Sequence, residues 1–312
     1  MLLTLTFVSL LMVKQTFSVV KMMVTNGEPI SFGDSSHPLA STATWDECVQ
    51  YCYDLGSCVA VYDNNCQMFE VGSIKTAKRV ETSRIAIKIL MDNSTTETCP
   101  ADDSGTEEGI YITNTTYQNY SVSYNDPTWT FVSTTLTCPT NFTLFVRPNG
   151  LWCMQVIEHY ACCNRTVAIK MCSTNYSASQ LSGVDNQAEY DYISALTIPI
   201  YQNVTSNLVG DVKYNFTGIW LDGLRNSSCT GVTTSPCNTI SAFSFLDPTL
   251  SYPPQGYVWL SGNPNGLTSP GDAIALRVNT ESTYGMDDTA GNSPTEPSGG
   301  CWKGYVCGIK PS

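Results

Sequence analysis

The sequence predicts an α+β protein made of two disulfide-rich domains, and three observations support this prediction. The chain has 312 residues, 42% of them hydrophobic and 13% charged, which is enough apolar material for more than one small core. It contains 14 cysteines, an even number that is typical of proteins from an oxidising compartment. From residue 138 the pattern changes from a short helix with a small sheet to aromatic-rich strands separated by long loops.

The N-terminal segment has the features of an export signal. Leu2–Val13 is an apolar run that is too short to span a bilayer, and Lys14 ends it. Thr16 and Ser18 supply small side chains at the −3 and −1 positions of a cleavage site. We therefore expect residues 1–18 to be a signal peptide and the mature protein to be secreted; the alternative is a buried N-terminal strand.

Composition excludes several classes of function. Acidic residues outnumber basic ones by 27 to 15, for a net charge of −12, so we expect no nucleic acid partner and no binding to an anionic membrane surface. The tail after Cys307 is short and polar, and we expect no transmembrane segment and no membrane anchor. The chain has only two histidines and none of the common hydrolase or phosphate-binding motifs, so we expect no enzyme and no catalytic residue.

Asparagines in Asn-X-Ser/Thr sequons are concentrated in the middle of the chain. Since a secreted protein passes through the glycosylation machinery, we expect a glycoprotein with several glycans there. The nine candidate sites are Asn93, Asn114, Asn119, Asn141, Asn164, Asn175, Asn203, Asn215 and Asn226.

Residues 22–91 are predicted to form a small domain with one helix and a sheet. Thr44–Leu55 has helical spacing and places Cys48 and Cys52 on one face, where they can reach a neighbouring sheet more easily than each other. Three segments read as strands, namely Cys58–Tyr62, Cys66–Phe69 and Arg84–Leu90.

This arrangement resembles the PAN/apple superfamily, and the Trp45-Asp-Glu-Cys48 motif with its following cysteine spacing looks most like the nematode CW variety. The resemblance implies the pairs Cys48–Cys66 and Cys52–Cys58, although the sequence alone leaves three pairings open. It also implies a module that binds proteins or glycans. An unrelated small disulfide domain is the alternative.

Residues 92–137 are predicted to be a linker that contains a β-hairpin. Residues 92–108 are rich in Asn, Ser, Thr and acidic side chains, whereas 110–137 contain β-rich pieces (IYIT, YSVSY and WTFVSTTL).

Residues 138–312 are predicted to form the second domain, which has two short helices and antiparallel strands. The first helix is expected over Ala168–Thr174. A capping box of Asn186 and Glu189 begins the second, which is expected to end near Leu196. The main expected strands lie in 218–224, 257–260, 273–278 and 304–308.

The second domain resembles the long form of the C-type lectin-like domain. Gly218–Leu224 stands where that family has its Trp-Ile-Gly-Leu strand, and Trp259–Asn265 matches the family's Trp followed by Glu-Pro-Asn. Gly285–Asp288 takes the Trp-Asn-Asp position, and Cys301 and Cys307 take the closing cysteine positions. The resemblance implies a Cys172–Cys307 disulfide.

The remaining cysteines depart from the family pattern. Ala273 stands where the family has the partner of the cysteine matched by Cys301, so Cys301 must pair elsewhere, with Cys162 or Cys163 as candidates. The simplest partner for Cys229 is the nearby Cys237. Adjacent cysteines can also indicate a metal site, but the export signal and the scarcity of histidine favour two separate disulfides. The partners of six cysteines stay open: Cys99, Cys138, Cys153, Cys162, Cys163 and Cys301.

The resemblance also implies a calcium and sugar site. Its candidate ligands are Asn263, Asn265, Asp287 and Asp288, with Pro264 as the hinge between the two asparagines. The departures weaken this site, because Asn263 replaces a glutamate and Gly271 stands where another acidic ligand is expected. Calcium is thus the only cofactor that the resemblance suggests, and we expect weak binding.

The resemblance implies a secreted recognition protein that binds carbohydrate, of microbial or host origin, with a role in innate immunity. The alternative is a calcium-independent scaffold of the same fold that binds extracellular proteins and has no sugar site. Exposed aromatic residues in the loops, such as Tyr252 and Tyr284, are better candidates for stacking on a sugar than Trp220 and Trp259, which we expect in the core.

Overall fold

The computed structural model describes residues 18–92, 106–266 and 272–312. These fall into two compact units, one comprising residues up to 112 together with 117–135, the other 113–116 together with 136–312. Most of the predicted signal peptide lies outside the described residues, as do Asn93, Cys99 and Gly271. Within the described ranges, none of the helices combines the length and the apolar character needed to cross a bilayer.

The first unit is built on a nine-stranded sheet with one helix, α1 (Trp45–Asp54). The strand order is β2-β5-β9-β8-β7-β6-β3-β4, and β1 also pairs with β6. The strands are β1 (Ser18–Asn26), β2 (Glu28–Phe32), β3 (Cys58–Tyr62), β4 (Gln67–Glu70), β5 (Ile74–Lys78), β6 (Arg84–Asp92), β7 (Thr106–Ile112), β8 (Thr116–Asn125) and β9 (Thr128–Thr137).

Helix α1 is fixed to the sheet by its cap and by two disulfides. Thr44 and Glu47 form a capping box that satisfies backbone N–H groups of the first turn. Cys48 and Cys52 are the buried residues of the helix, and they pair with Cys66 and Cys58 respectively. The helix is thereby linked to the β3–β4 hairpin.

Residues 106–137 supply three strands to this sheet. Strand β7 contacts β6 through the pair Leu90 and Glu108, and β9 pairs with β5 at Thr76–Lys78. Tyr120 and Trp129 pack into the same core as Phe69. The β-rich pieces of 110–137 are therefore built into the nine-stranded sheet.

The second unit has a nine-stranded sheet with the order β10-β11-β18-β13-β15-β16, flanked by short strands and two helices. Strands β13 and β18 are parallel, whereas the other registered pairs are antiparallel. The strands are β10 (Thr143–Arg147), β11 (Gly150–Glu158), β12 (Gln180–Leu181), β13 (Phe216–Arg225), β14 (Phe243–Ser244), β15 (Ala273–Thr280), β16 (Thr283–Thr289), β17 (Thr295–Glu296) and β18 (Gly300–Ile309).

The two helices are α2 (Arg165–Asn175) and α3 (Gln187–Ser206). Asn186 caps α3 through the N–H of Glu189, but Glu189 turns its own carboxylate to the N–H of Asp185, so the predicted box is only half formed. Helix α3 continues ten residues past the predicted end at Leu196 and contains Pro199.

Four disulfides close the second unit: Cys138–Cys153, Cys162–Cys301, Cys172–Cys307 and Cys229–Cys237. The structure gives Cys162 a partner but leaves its neighbour Cys163 as a buried thiol, the only free one among the described cysteines. Two separate disulfides were expected at this pair. Cys163 instead lies beside β18, where its N–H donates to the carbonyl of Trp302.

Candidate functional site

The four predicted calcium ligands lie on a loop and on an adjoining strand, and hydrogen bonds join three of them, Asn263, Asn265 and Asp288. Asn263 and Asn265 flank Pro264, whose preceding peptide bond is cis. Asp287 and Asp288 are successive residues of β16. Because neighbouring residues of a strand point to opposite faces, the two carboxylates diverge instead of converging on one point.

Asp288 is completely enclosed by donors from this protein. Its Oδ1 accepts the N–H of Asn265 at 2.8 Å, and its Oδ2 accepts the N–H of Gly266 at 2.8 Å. The guanidinium of Arg225 donates to the same Oδ2 at 2.6 Å. Both oxygens of the carboxylate are therefore engaged, one of them by a positive charge.

Arg225 ends strand β13, and its side chain is buried, with 3% of its surface exposed. Besides Asp288 it donates to the carbonyl of Cys237 at 3.0 Å. Its guanidinium carbon lies 4.6 Å from the centre of the Phe243 ring, which allows a cation–π contact. Three separate segments of the unit thus hold this one cation in place.

Asp287 has a different arginine. The guanidinium of Arg277 donates to its Oδ2 at 2.9 Å and approaches Glu296 at 3.5 Å. Burial raises the pKa of Asp287, and the nearby Arg277 opposes that rise. The pair is partly open to solvent, since 22% of the Arg277 side chain is exposed.

These residues, as arranged, do not fit a calcium ion. Calcium takes six to eight oxygen ligands, several of them carboxylate oxygens. Here Asn263 Oδ1 accepts a hydrogen bond from Asn265 Nδ2 at 2.6 Å. Both oxygens of Asp288 already accept hydrogen bonds from this protein, and Asp287 is paired with Arg277 instead. Across the described ranges there is also no cluster of three or more His, Cys, Asp or Glu side chains that could hold a metal. Arg225 already provides the positive charge that Asp288 requires.

The long loop between β13 and β15 is held by further buried charges. Asp222 accepts the N–H of Asp247 at 2.8 Å, and Asp185 accepts the N–H and the hydroxyl of Ser251, both at 2.6 Å. Burial raises the pKa of Asp222, an effect that its backbone donors and Arg165 oppose. Each of these bonds ties one point of the loop to the sheet or to the segment before α3.

The largest set of these contacts is made by Arg147, whose side chain is fully buried. It forms ion pairs with Glu189 at 2.7 Å and with Asp247 at 2.8 Å, and it also donates to Thr249 and to the carbonyl of Gly183. Burial raises the pKa of Glu189, and Arg147 opposes the rise. A single cation thereby joins β10, α3 and the long loop.

The aromatic candidates differ in exposure. Trp220 is fully buried, and Trp259 is half-buried with its ring 5.7 Å from that of Phe243. Tyr252 has 71% of its surface exposed, whereas Tyr284 is half-buried and stacks on Tyr190. Of the two predicted stacking residues, Tyr252 is the one with a ring open to solvent.

The candidate glycosylation sites also differ in exposure. Asn119, Asn164 and Asn226 are half-buried, and the side chain of Asn164 caps α2 through the N–H of Val167. The exposed sequon asparagines are Asn114, Asn141, Asn175, Asn203 and Asn215.

Sequence reasoning did not identify Arg225, Arg277 or Arg147. One signal was present: the whole chain has only 15 Lys and Arg residues, and Arg225 directly follows the apolar strand that holds Gly218–Leu224. A basic residue that ends a buried strand is expected to have an acidic partner.

Comparison with protein families agrees with this two-domain organisation. A family described as a PAN-like domain matches residues 22–89, and a family described as C-type lectin domain-containing protein 141/158 matches residues 145–266. The chain thus carries a PAN-like domain followed by a C-type lectin-like domain, which confirms the predicted fold class and order. No curated protein matches the sequence.

Solved structures that resemble part of the chain have low sequence identity to it. EMS16, an antagonist of the collagen receptor integrin α2β1, is 16% identical, with 55% of this chain and 98% of that chain covered and a TM-score of 0.27. Ovocleidin-17, a major protein of the Gallus gallus eggshell calcified layer, is 15% identical (55% and 99% covered, TM-score 0.29). The snake venom toxin convulxin is 15% identical (56% and 98% covered, TM-score 0.27).

Proposed function

We propose that the chain is a secreted recognition protein whose C-type lectin-like domain binds an extracellular protein through the long loop at residues 226–266, without calcium. The observation that carries this proposal is the ion pair of Arg225 with Asp288, 2.6 Å long and buried. Because the guanidinium occupies the carboxylate, a bound metal is not needed to hold the loop. The mode of sugar binding that works through a calcium ion would require Arg225 to leave.

A loop that is rigid before binding loses little entropy when it meets its ligand. In this domain Arg147, Asp222 and Asp185 supply that rigidity through buried hydrogen bonds, and the Cys229–Cys237 disulfide closes the first part of the loop. The loop also presents apolar side chains to solvent, among them Leu246 with 68% and Tyr252 with 71% of their surfaces exposed. Exposed aromatic side chains on a rigid support are frequent anchors in protein interfaces.

Carbohydrate binding through Asn263, Asn265, Asp287 and Asp288 remains the competing prediction. The secreted location, the signal peptide and the glycans belong to both proposals, and so does the absence of catalysis. Calcium dependence separates them, since only the sugar site requires the metal.

The test is binding of the purified full-length protein to an array of secreted ectodomains and to an array of glycans, each in millimolar calcium and in EDTA. We expect a protein ligand whose binding is equal in both buffers and is lost in Tyr252→Ala. The matched control is Tyr160→Ala, which removes a tyrosine outside the loop that is even more exposed, at 88% of its surface. Glycan binding that disappears in EDTA and in Asp288→Asn would overturn the proposal.

A further inference from the structure

We propose that the partner of the long loop is an uncharged, apolar segment of an extracellular protein, and that one large side chain of this segment fills a cavity beside the loop. The cavity has a volume of about 480 Å³ and lies within the lectin-like domain. Pro248 of the loop lines it, together with residues of the α2–β12 turn and of the C-terminal tail. This proposal rests on the proposed function, since it specifies the partner of the same loop.

Apolar side chains form much of the cavity wall, among them Pro139, Ile309 and Pro311. Trp152 also borders the cavity, and its indole N–H already donates to Ser182 Oγ at 2.9 Å, so this part of the wall offers a ring face and no free donor. The volume lies within the roughly 300–1,000 Å³ of ligand pockets. Large apolar side chains that fill such pockets are the usual anchors of protein interfaces, and we expect one here.

The part of the loop beside the cavity is held in place by buried polar contacts. Arg147 donates to the carboxylate of Asp247 and to the hydroxyl of Thr249, both at 2.8 Å, and both of these residues are buried. Pro248 lies between them in sequence and is exposed. The buried contacts on either side therefore fix Pro248 at the surface, where it borders the cavity before any partner binds.

Leu246 adds a second apolar side chain next to the cavity. Gln180, which lines the cavity, donates its side-chain amide to the carbonyl of Leu246 at 2.9 Å. The carboxylate of Asp222 accepts the backbone N–H of the same leucine. The backbone polar groups of Leu246 are therefore satisfied within the protein, while 68% of its surface is exposed. A partner meets the side chain of this leucine and not its backbone.

The charge of the loop indicates the chemistry of the partner. Residues 226–266 contain one charged side chain, Asp247, and it is buried and paired with Arg147. In the cavity wall the charged side chain is Lys310, which is exposed to solvent. A charged segment would lose hydration against the loop without gaining an ion pair there. Although the net charge of −12 attracts basic partners in general, this surface favours an uncharged one.

The test is selection from a phage library of random peptides, about 12 residues long, against the full-length protein in EDTA. The selection is run at roughly 50 mM and 500 mM NaCl, because salt screens contacts between charges. We expect the same peptides in both, enriched in Trp, Phe and Leu and depleted in charged residues. A synthetic copy of a selected peptide, followed by fluorescence anisotropy, should bind with a dissociation constant that changes by less than about twofold between the two salt concentrations.

Two variants connect peptide binding to the loop and its cavity. Leu246→Asp and Pro248→Asp each place a carboxylate where an apolar side chain of the peptide would lie, and both positions are exposed, so the fold should tolerate the change. Each should weaken binding by about tenfold or more. The matched control is Leu208→Asp, because Leu208 is similarly exposed, at 63% of its surface, and lies after α3 and outside the loop. This control should bind the peptide as the wild type does.

The proposal is overturned if the selection yields no peptide, or if the selected peptides are charged and lose affinity in high salt. Either result leaves the protein-binding role of the loop to its own test on secreted ectodomains. Apolar peptides that bind equally well to both loop variants and to Tyr252→Ala would lie outside the loop, which counts against the proposed function as well. A dimer of the protein that dissociates in Leu246→Asp would show that a second copy covers this surface, and it would also overturn the proposal.

Discussion

Replacing Arg225 by glutamine removes one member of a buried ion pair and leaves the carboxylate of Asp288 without its cation. Breaking such a pair from one side costs about 3–5 kcal/mol of unfolding free energy. The pair is of this kind, since 3% of the arginine side chain and none of the aspartate side chain is exposed. A domain of this size loses about 2–4 °C per kcal/mol, so we expect the melting temperature of the lectin-like domain to fall by roughly 6–20 °C.

The same substitution should create a response to calcium. The wild-type protein has no free carboxylate at this point, and its melting temperature should be equal in EDTA and in calcium. In Arg225→Gln, Asp288 loses its cation and can attract another. A ligand at a hundred times its dissociation constant stabilises the native state by about 2.7 kcal/mol, which would restore part of the loss.

Differential scanning calorimetry of the full-length protein measures both effects. The matched control is Arg277→Gln, which frees Asp287, because this pair is more exposed and should cost less. Adding Asp288→Asn to Arg225→Gln should recover stability and abolish the calcium response. A melting temperature of Arg225→Gln within 2 °C of the wild type, roughly 1 kcal/mol, would refute the reasoning, as would a calcium response that the wild type already shows.

Three further predictions concern stability and reactivity. Arg147→Met should lower the unfolding free energy of the lectin-like domain by about 3–5 kcal/mol in urea titrations, since it strands Glu189 and Asp247; a loss below 1 kcal/mol would contradict this. Burial lowers the pKa of Lys88 to about 8, so the unfolded chain binds more protons between pH 8 and the ordinary value of 10.5, and the stability of the PAN-like domain should rise across that window. Lys88→Met should flatten this rise, while the exposed Lys75→Met should preserve it. Burial also raises the pKa of the Cys163 thiol to about 11, so peptide mapping after iodoacetamide treatment at pH 8 should find it unmodified in the native protein, and rapid labelling would show that it is accessible.

The order of the two domains was predictable because their cysteine and aromatic motifs are local in sequence. The end of helix α3 was not. Pro199 cannot donate a helical hydrogen bond, which argues for an end near Leu196. The helix nevertheless continues to Ser206, because Ile200 and Val204 extend the buried face that includes Ile193. Burial against the sheet therefore outweighs the local cost of the proline.

The candidate site was predictable only in part, because its deciding contact joins residues that are distant in sequence. Asn263 and Asn265 lie beside β16, where they are close to Asp288. The partner that decides the chemistry, Arg225, is 63 residues away from Asp288 in sequence. A contact of that length depends on the pairing of β13 with β15 and of β15 with β16, which no short motif contains.

The strands of 106–137 illustrate the same limit. Their β character was visible in the sequence, but their membership of one sheet with β5 depends on distant pairings, such as that of Thr76 with Thr130. Strand propensity indicates that a segment will pair, and it does not identify the partner.

The covalent topology of the lectin-like domain has a consequence for its longest loop. Cys162–Cys301 and Cys172–Cys307 join the segment before β13 to the last strand, so the chain forms a closed covalent circuit that contains residues 226–266. A protease that cuts once within that loop opens the circuit but cannot release either piece. The two fragments stay joined until a reductant reaches the disulfides, so a nicked molecule can keep its sheet while the loop gains two new ends.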